Sequence, residues 1–105
     1  MKKLYTKCPV EYTVSIISDK WKVLIIRDLL EKEKRYSELM KSVVGISDKV
    51  LAKNLRELEQ DGIINRKVYA VVPPKVEYSL TEKGQELTQI LKEMEKFGLK
   101  YREEQ

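Results

Sequence analysis

Apolar residues recur at helical spacing along most of the chain, and the pattern switches to a β-rich one in a single stretch. Pro9, a good first-turn residue, opens a segment in which Val10, Val14 and Ile17 lie three or four apart, which predicts a short helix over residues 9–18. Asp19 then offers an N-cap for Lys20 to Glu31, where Trp21, Val23, Leu24, Ile25 and Leu29 form the broad apolar stripe of a central core helix. Arg35-Tyr36 reads as an extended pair. Ser37 reads as the cap of a brief helix from Glu38 to about Ser42, contributing Leu39 and Met40, before a turn at Val43-Val44-Gly45. The next helix has the clearest limits. Ser47 is its N-cap, Asp48 suits the positive end of its dipole, and Gly62 stands just past its last turn. Ile46 before the cap and Leu51 at the fourth helical position fit a hydrophobic staple. Two helices joined by a Gly-bearing turn, over about 37–61, outline a helix-turn-helix.

After Gly62, residues 63–71 and 76–80 are rich in β-formers and flank Val72-Pro73-Pro74-Lys75, which predicts a two-stranded hairpin with a stiff tip, a wing over about 63–80. Thr81 caps a last helix over about 82–102, with Leu87, Ile90, Leu91, Met94, Phe97 and Tyr101 on one face. Gly84 and Gly98 weaken that helix without ending it. The expected fold is mainly α with a small β-hairpin, one winged helix-turn-helix domain spanning 1–105.

At 100° per residue, Leu51, Leu55 and Leu58 share one side of the helix after Ser47, and Lys49, Lys53, Arg56 and Gln60 gather opposite. A helix with a leucine face and a basic face, second in a helix-turn-helix pair, suits the major groove, its first residues at base edges and its cations on phosphates. Ser37, Ser47, Asp48, Lys49, Ala52, Lys53 and Arg56 are the candidate contacts, joined from the hairpin by Arg66, Lys67 and Lys75. The same cations also fit a solvated surface, and the hairpin's Lys and Pro also fit a protected sheet edge. The apolar face of the last helix exceeds what so small a core covers. Tyr12, Leu87, Ile90, Leu91, Met94, Phe97 and Tyr101 are therefore assigned to a homodimer interface built from the terminal helices.

Composition narrows the options. With 105 residues, 42% hydrophobic and 36% charged, 4 Gly and 3 Pro, the chain has the makeup of one globular domain. Its apolar runs, such as Val23-Leu24-Ile25-Ile26, are short, so no membrane span or signal core is read, and a cytoplasmic location is expected. The absence of His and the single cysteine, Cys8, remove the common zinc-ligand sets and every Ser-His or Cys-His catalytic pair, so neither an enzyme, a metal nor a cofactor is expected. The net charge of +4 permits double-stranded DNA as a partner, and a winged-helix module that binds an acidic protein without operator specificity is the alternative. Cys8, beside Lys7 and at a helix start, is a candidate oxidant or electrophile sensor. It also fits a small half-buried apolar residue.

Cys8-Pro9, Asp19-Lys20-Trp21-Lys22 and Arg35-Tyr36-Ser37-Glu38-Leu39 together resemble the HxlR-type bacterial transcription regulators. So do Gly45 to Leu51, Leu55 to Gly62 and Val72 to Gly84, in order and spacing, over roughly residues 8–98. The resemblance implies a winged helix-turn-helix, a homodimer held by terminal helices and binding to operator DNA as repressor or activator. Some members of that family sense oxidants, quinones or aldehydes through the N-terminal cysteine, which matches Cys8. A second, resolving cysteine has no counterpart here, leaving Cys8–Cys8′ pairing, thiol capping or no switch.

Overall fold

The computed structural model describes residues 8–103. Its elements run α1 Pro9–Ile17, α2 Lys20–Glu31, β1 Lys34–Arg35, α3 Tyr36–Ser42, α4 Asp48–Gln60, β2 Ile64–Tyr69, β3 Lys75–Leu80, α5 Glu82–Gln85 and α6 Thr88–Tyr101. The helices pack on a small antiparallel sheet of order β1-β3-β2. In the hairpin Ile64 faces Leu80 and Tyr69 faces Lys75, and on the other edge of β3 Lys34 faces Tyr78.

Local chemistry fixes most of these limits. Asp19 caps α2 by accepting from the Trp21 N–H at 2.8 Å and the Lys22 N–H at 3.4 Å, and it does so at φ +71°, a conformation costly for most residues but tolerated by Asp. Ser47 caps α4 by accepting from the Val50 N–H at 3.2 Å. Gly62, at φ +75°, turns the chain out of α4 in the left-handed region open to glycine. Thr81 caps α5 by accepting from the Gly84 N–H at 3.0 Å. Gly84 lies against the sheet so closely that a Cβ there would stand 2.3 Å from the Ile63 carbonyl oxygen.

The core joins Ile25, Ile26 and Leu29 of α2, Leu39 and Val43, the staple pair Ile46 and Leu51, Leu55 and Leu58 of α4, Ile63, Ile64, Tyr78, Leu87 and Leu91. Each fully buried Leu or Ile contributes roughly 1.5–3 kcal/mol. The recognition-type helix α4 is thus bound to the body through its leucine face.

Several boundaries and contacts differ from the sequence reading. The extended pair is Lys34–Arg35, one residue earlier than expected, and its pairing with β3 makes the sheet three-stranded. Ser37 is the second residue of α3 and not its cap, because the Arg35 N–H is taken by the Glu38 carboxylate at 2.7 Å and the helix begins at Tyr36. That bond holds the Glu38 carboxyl below its ordinary pKa. The final helix is divided at Glu86-Leu87, where the Leu87 N–H bonds the Gly84 carbonyl three residues back and tightens the turn. In α1 the buried residue is Ile16, while Val10 and Val14 face outward. On α2, Ile26 and Lys22 are buried although neither was in the expected stripe. Lys22 is 4% exposed, and its Nζ lies 2.7 Å from Glu57 of α4.

Candidate nucleic-acid interface

The leucine face of α4 turns inward and leaves Lys49, Lys53, Arg56 and Gln60 exposed, with Ser47 and Asp48 at the helix start. Two contacts hold the helix against its neighbours, and one bond within it orders a buried side chain. The Lys22–Glu57 pair ties its middle to α2 and holds the Glu57 carboxyl below its ordinary range, chiefly through that hydrogen bond. Asn54, 1% exposed, donates to the Val50 carbonyl at 2.8 Å, and its Oδ1 has no hydrogen-bond partner among the described residues. At the helix start, the Tyr36 hydroxyl of α3 lies 2.5 Å from Asp48 Oδ1 and 2.9 Å from the Asp48 carbonyl. Burial, then the bond to Asp48, pushes the Tyr36 pKa up to about 12, so the phenol stays protonated and donating at neutral pH. Asp48 is therefore a brace between the two helices of the motif, and the expected base-edge contact from its carboxylate competes with that bond.

The sheet brings the hairpin cations beside this helix. Arg56, Ala52 and Glu59 of α4 line one cleft of about 190 Å³ together with Arg66 of β2, Tyr78 of β3 and Tyr36. Two guanidinium side chains that stand ten residues apart in sequence thus border one concavity. A second cleft, about 550 Å³, lies between α3 and the wing tip and gathers Arg35, Ser37 and Lys75 around exposed Val72, Pro73 and Pro74. Lys67 and Lys75 both lie over the Tyr69 ring, at 4.9 and 4.6 Å from its centroid. The Tyr69 hydroxyl donates to Glu77 at 3.0 Å and is the main reason the Glu77 carboxyl is held below its ordinary pKa. Lys75 pairs with the same carboxylate at 3.3 Å. Arg66, Lys67 and Lys75 are thus all on the wing, with Lys75 partly neutralised by its own strand.

Arg35 and Tyr36 were absent from the sequence candidates. The only signal for Tyr36 was an amphipathic ring twelve residues before Asp48, which periodicity does not pair with a helix start. Arg35 belongs to the extended pair Arg35-Tyr36 of the sequence reading.

Of the residues assigned to a dimer face, Ile90, Met94, Phe97 and Tyr101 are 39%, 47%, 68% and 62% exposed. Leu87 and Leu91 are corrected: both belong to the chain's own core, because the tightened turn at Glu86-Leu87 presses that end of α6 onto α2. Tyr12 is half exposed, and its hydroxyl accepts from Lys83 of α5 at 3.2 Å. Cys8 is exposed and stands at the N-cap of α1, whereas Lys7, offered as its activating neighbour, lies outside the described residues. Among the described residues no His, Cys, Asp or Glu cluster fits a metal, and no helix is long and apolar enough to cross a membrane.

A basic helix at the end of a helix-turn-helix, followed by a cationic hairpin on a three-stranded sheet, defines a winged helix-turn-helix protein that binds DNA. Residues 16–105 match the family model described as HxlR-like helix-turn-helix. The HTH-type transcriptional regulator YdeP of Bacillus subtilis is 47% identical over 96 residues, covering 91% of this chain and 75% of that protein. YkvN of the same organism, also an HTH-type transcriptional regulator, is 45% identical over 105 residues, covering all of this chain and 87% of that one. Among solved structures, the redox regulator HypR in its oxidized form is 43% identical with a TM-score of 0.86, covering 92% of this chain and all of the other. The reduced transcriptional regulator YodB of B. subtilis is 38% identical with a TM-score of 0.81, covering 93% and 97%. The chain belongs to the HxlR-like helix-turn-helix family and is a DNA-binding transcriptional regulator.

Proposed function

We propose that the chain acts as a homodimer on a pseudo-palindromic operator, each α4 in a major groove and the two separated by ~34–36 Å or a multiple of it. The observation that carries this reading is the exposed cationic side of α4, Lys49, Lys53 and Arg56, with Arg66 of the wing bordering the same cleft as Arg56. Ser47, Lys49, Ala52, Lys53 and Arg56 face the bases or the nearest phosphates. Ser37, Arg66, Lys67 and Lys75 meet the flanking backbone. The outward face of α6, with α1 and Tyr12, supplies the dimer contact, since Ile90, Met94, Phe97 and Tyr101 share one side of the helix and stay exposed in one chain.

The test is enrichment of duplexes from a random pool, followed by titration of the winner against a scrambled duplex over several salt concentrations. A pseudo-palindrome should win, and log K should fall with log salt at roughly −0.9 per phosphate contact. Arg56→Ala should cost roughly 1–3 kcal/mol and relax preference at one position if it reads a base. No enrichment, together with capture of an acidic protein by the same helix face, would favour the protein-binding alternative.

A second reading concerns Cys8. Its exposure, and the likeness to a redox regulator, support oxidation that joins Cys8 to Cys8′ of the second copy: two thiols lose two protons and two electrons to the oxidant and form one S–S bond. Diamide should give a dimer on non-reducing gels and alter operator affinity. Cys8→Ser with an unchanged diamide response would remove the idea.

A further inference from the structure

α6 carries a second face that neither DNA nor a second copy needs in the reading above. Taking Leu91 as the origin at 100° per residue, Ile90, Met94, Phe97 and Tyr101 fall between about −60° and −120°, and Thr88, Lys92 and Glu95 between about +40° and +100°. This second side of α6 borders a groove of about 630 Å³ against α2. Its apolar wall is Val23 and Leu30 of α2 with Leu91 of α6, and its charged lining is Arg27, Lys92 and Glu95. The volume is within the range of small-molecule sites, which are concave and apolar with a few placed polar groups.

The cations here are placed and have donors to spare. Arg27 donates from Nε to Asp28 Oδ1 at 2.8 Å, and Asp28 is itself only 12% exposed and receives the Ser42 hydroxyl on Oδ2 at 2.7 Å. That arrangement anchors the guanidinium by one edge, and its η-nitrogens have no ion-pair partner among the described residues. Lys92 likewise has none among them. Glu95 in the lining and Asp28 behind Arg27 balance the two cations, and what stays unpaired among the described residues is the η edge of Arg27 and the ammonium of Lys92.

We propose that this groove binds an amphipathic monocarboxylate, its apolar body on Val23, Leu30 and Leu91 and its carboxylate held by Arg27 and Lys92. The unpaired donors of Arg27 and Lys92 match one carboxylate, and Glu95 beside them disfavours a second. The site meets the helix face assigned to dimer contact only at Met94.

The experiment titrates the full chain with 2-naphthoate by calorimetry and by Trp21 fluorescence, beside 2-naphthamide and naphthalene-2,6-dicarboxylate. Saturable binding of the naphthoate below about 1 mM is expected, as its size allows. The amide and the dianion should each bind about tenfold more weakly. Lys92→Gln, an exposed change, should weaken naphthoate about fivefold or more without moving the thermal midpoint, and Arg27→Gln, which also breaks the pair with Asp28, should weaken it by at least as much. Absence of saturation, equal affinity for acid and amide, or full affinity in both variants would overturn the proposal. So would variants that change the sedimenting mass but not probe binding, which would make the groove an interface between copies. Because binding is read on the protein without DNA, failure here leaves the operator reading standing.

Discussion

Replacing Gly84 by alanine should destabilise the protein although alanine is the better helix former. In isolation the exchange favours a helix by about 1 kcal/mol. Here the new Cβ would stand 2.3 Å from the Ile63 carbonyl oxygen and 3.1 Å from Leu80 Cδ2, so backbone must move. That carbonyl also accepts the Thr81 N–H at 3.0 Å and lies 3.1 Å from the Thr81 hydroxyl, which draws in the cap of α5. Overpacking costs of roughly 1–3 kcal/mol, and about 1 kcal/mol for a weakened hydrogen bond, outweigh the propensity gain. The expected net loss is about 2 kcal/mol, which for a domain of this size lowers the melting midpoint by roughly 8–16 °C. Urea unfolding at fixed protein concentration, followed by circular dichroism and by the fluorescence of the one tryptophan, measures it. Gly98→Ala is the companion, since nothing lies within 4 Å of a Cβ there, and it should gain about 0.5–1 kcal/mol. Equal or greater stability in Gly84→Ala, or equal losses in both, would refute the reasoning.

Three further outcomes are expected. Glu57 has a lowered pKa through Lys22, so its contribution is fully present above about pH 4.5 and fades as pH falls through the lowered value; Glu57→Gln should flatten the acid limb of stability measured between pH 3 and 7. Tyr36 has a raised pKa, so its contribution holds below about pH 10 and is lost as pH climbs toward 12; Tyr36→Phe should remove that alkaline loss in a pH series of thermal melts. Ser47→Ala deletes the cap of α4 and should cost about 1 kcal/mol, read as a lower urea midpoint with an unchanged slope.

Where side-chain type and position coincide, the fold was legible beforehand. Asp19, Ser47, Gly62 and Thr81 bracket their helices as expected because capping is decided within a few residues. Elements made by distant partners were not. A two-residue β1 has no pattern of its own and exists through its pairing with Tyr78 and Glu77. Buried Lys22 breaks the apolar alphabet, and only the carboxylate of Glu57 on another helix makes that burial tolerable. Periodicity found the apolar side of α6 yet could not divide it, so Leu87 and Leu91 were grouped with Phe97 although their own chain covers them. The basic residues of the interface were readable one element at a time, and the meeting of Arg56 with Arg66 needed the sheet.

β3 is the middle strand, and both of its neighbours lead somewhere. β1 runs without a loop into α3, and β3 reaches α5 through the single residue Thr81. The first helix of the DNA-binding motif and the terminal helical arm are therefore suspended from adjacent strands, about 4.8 Å apart across one ladder. The connections at both places are too short to let either helix shift independently of its strand. The helix-turn-helix and the terminal arm thus share one anchor, the ladder between β1 and β3.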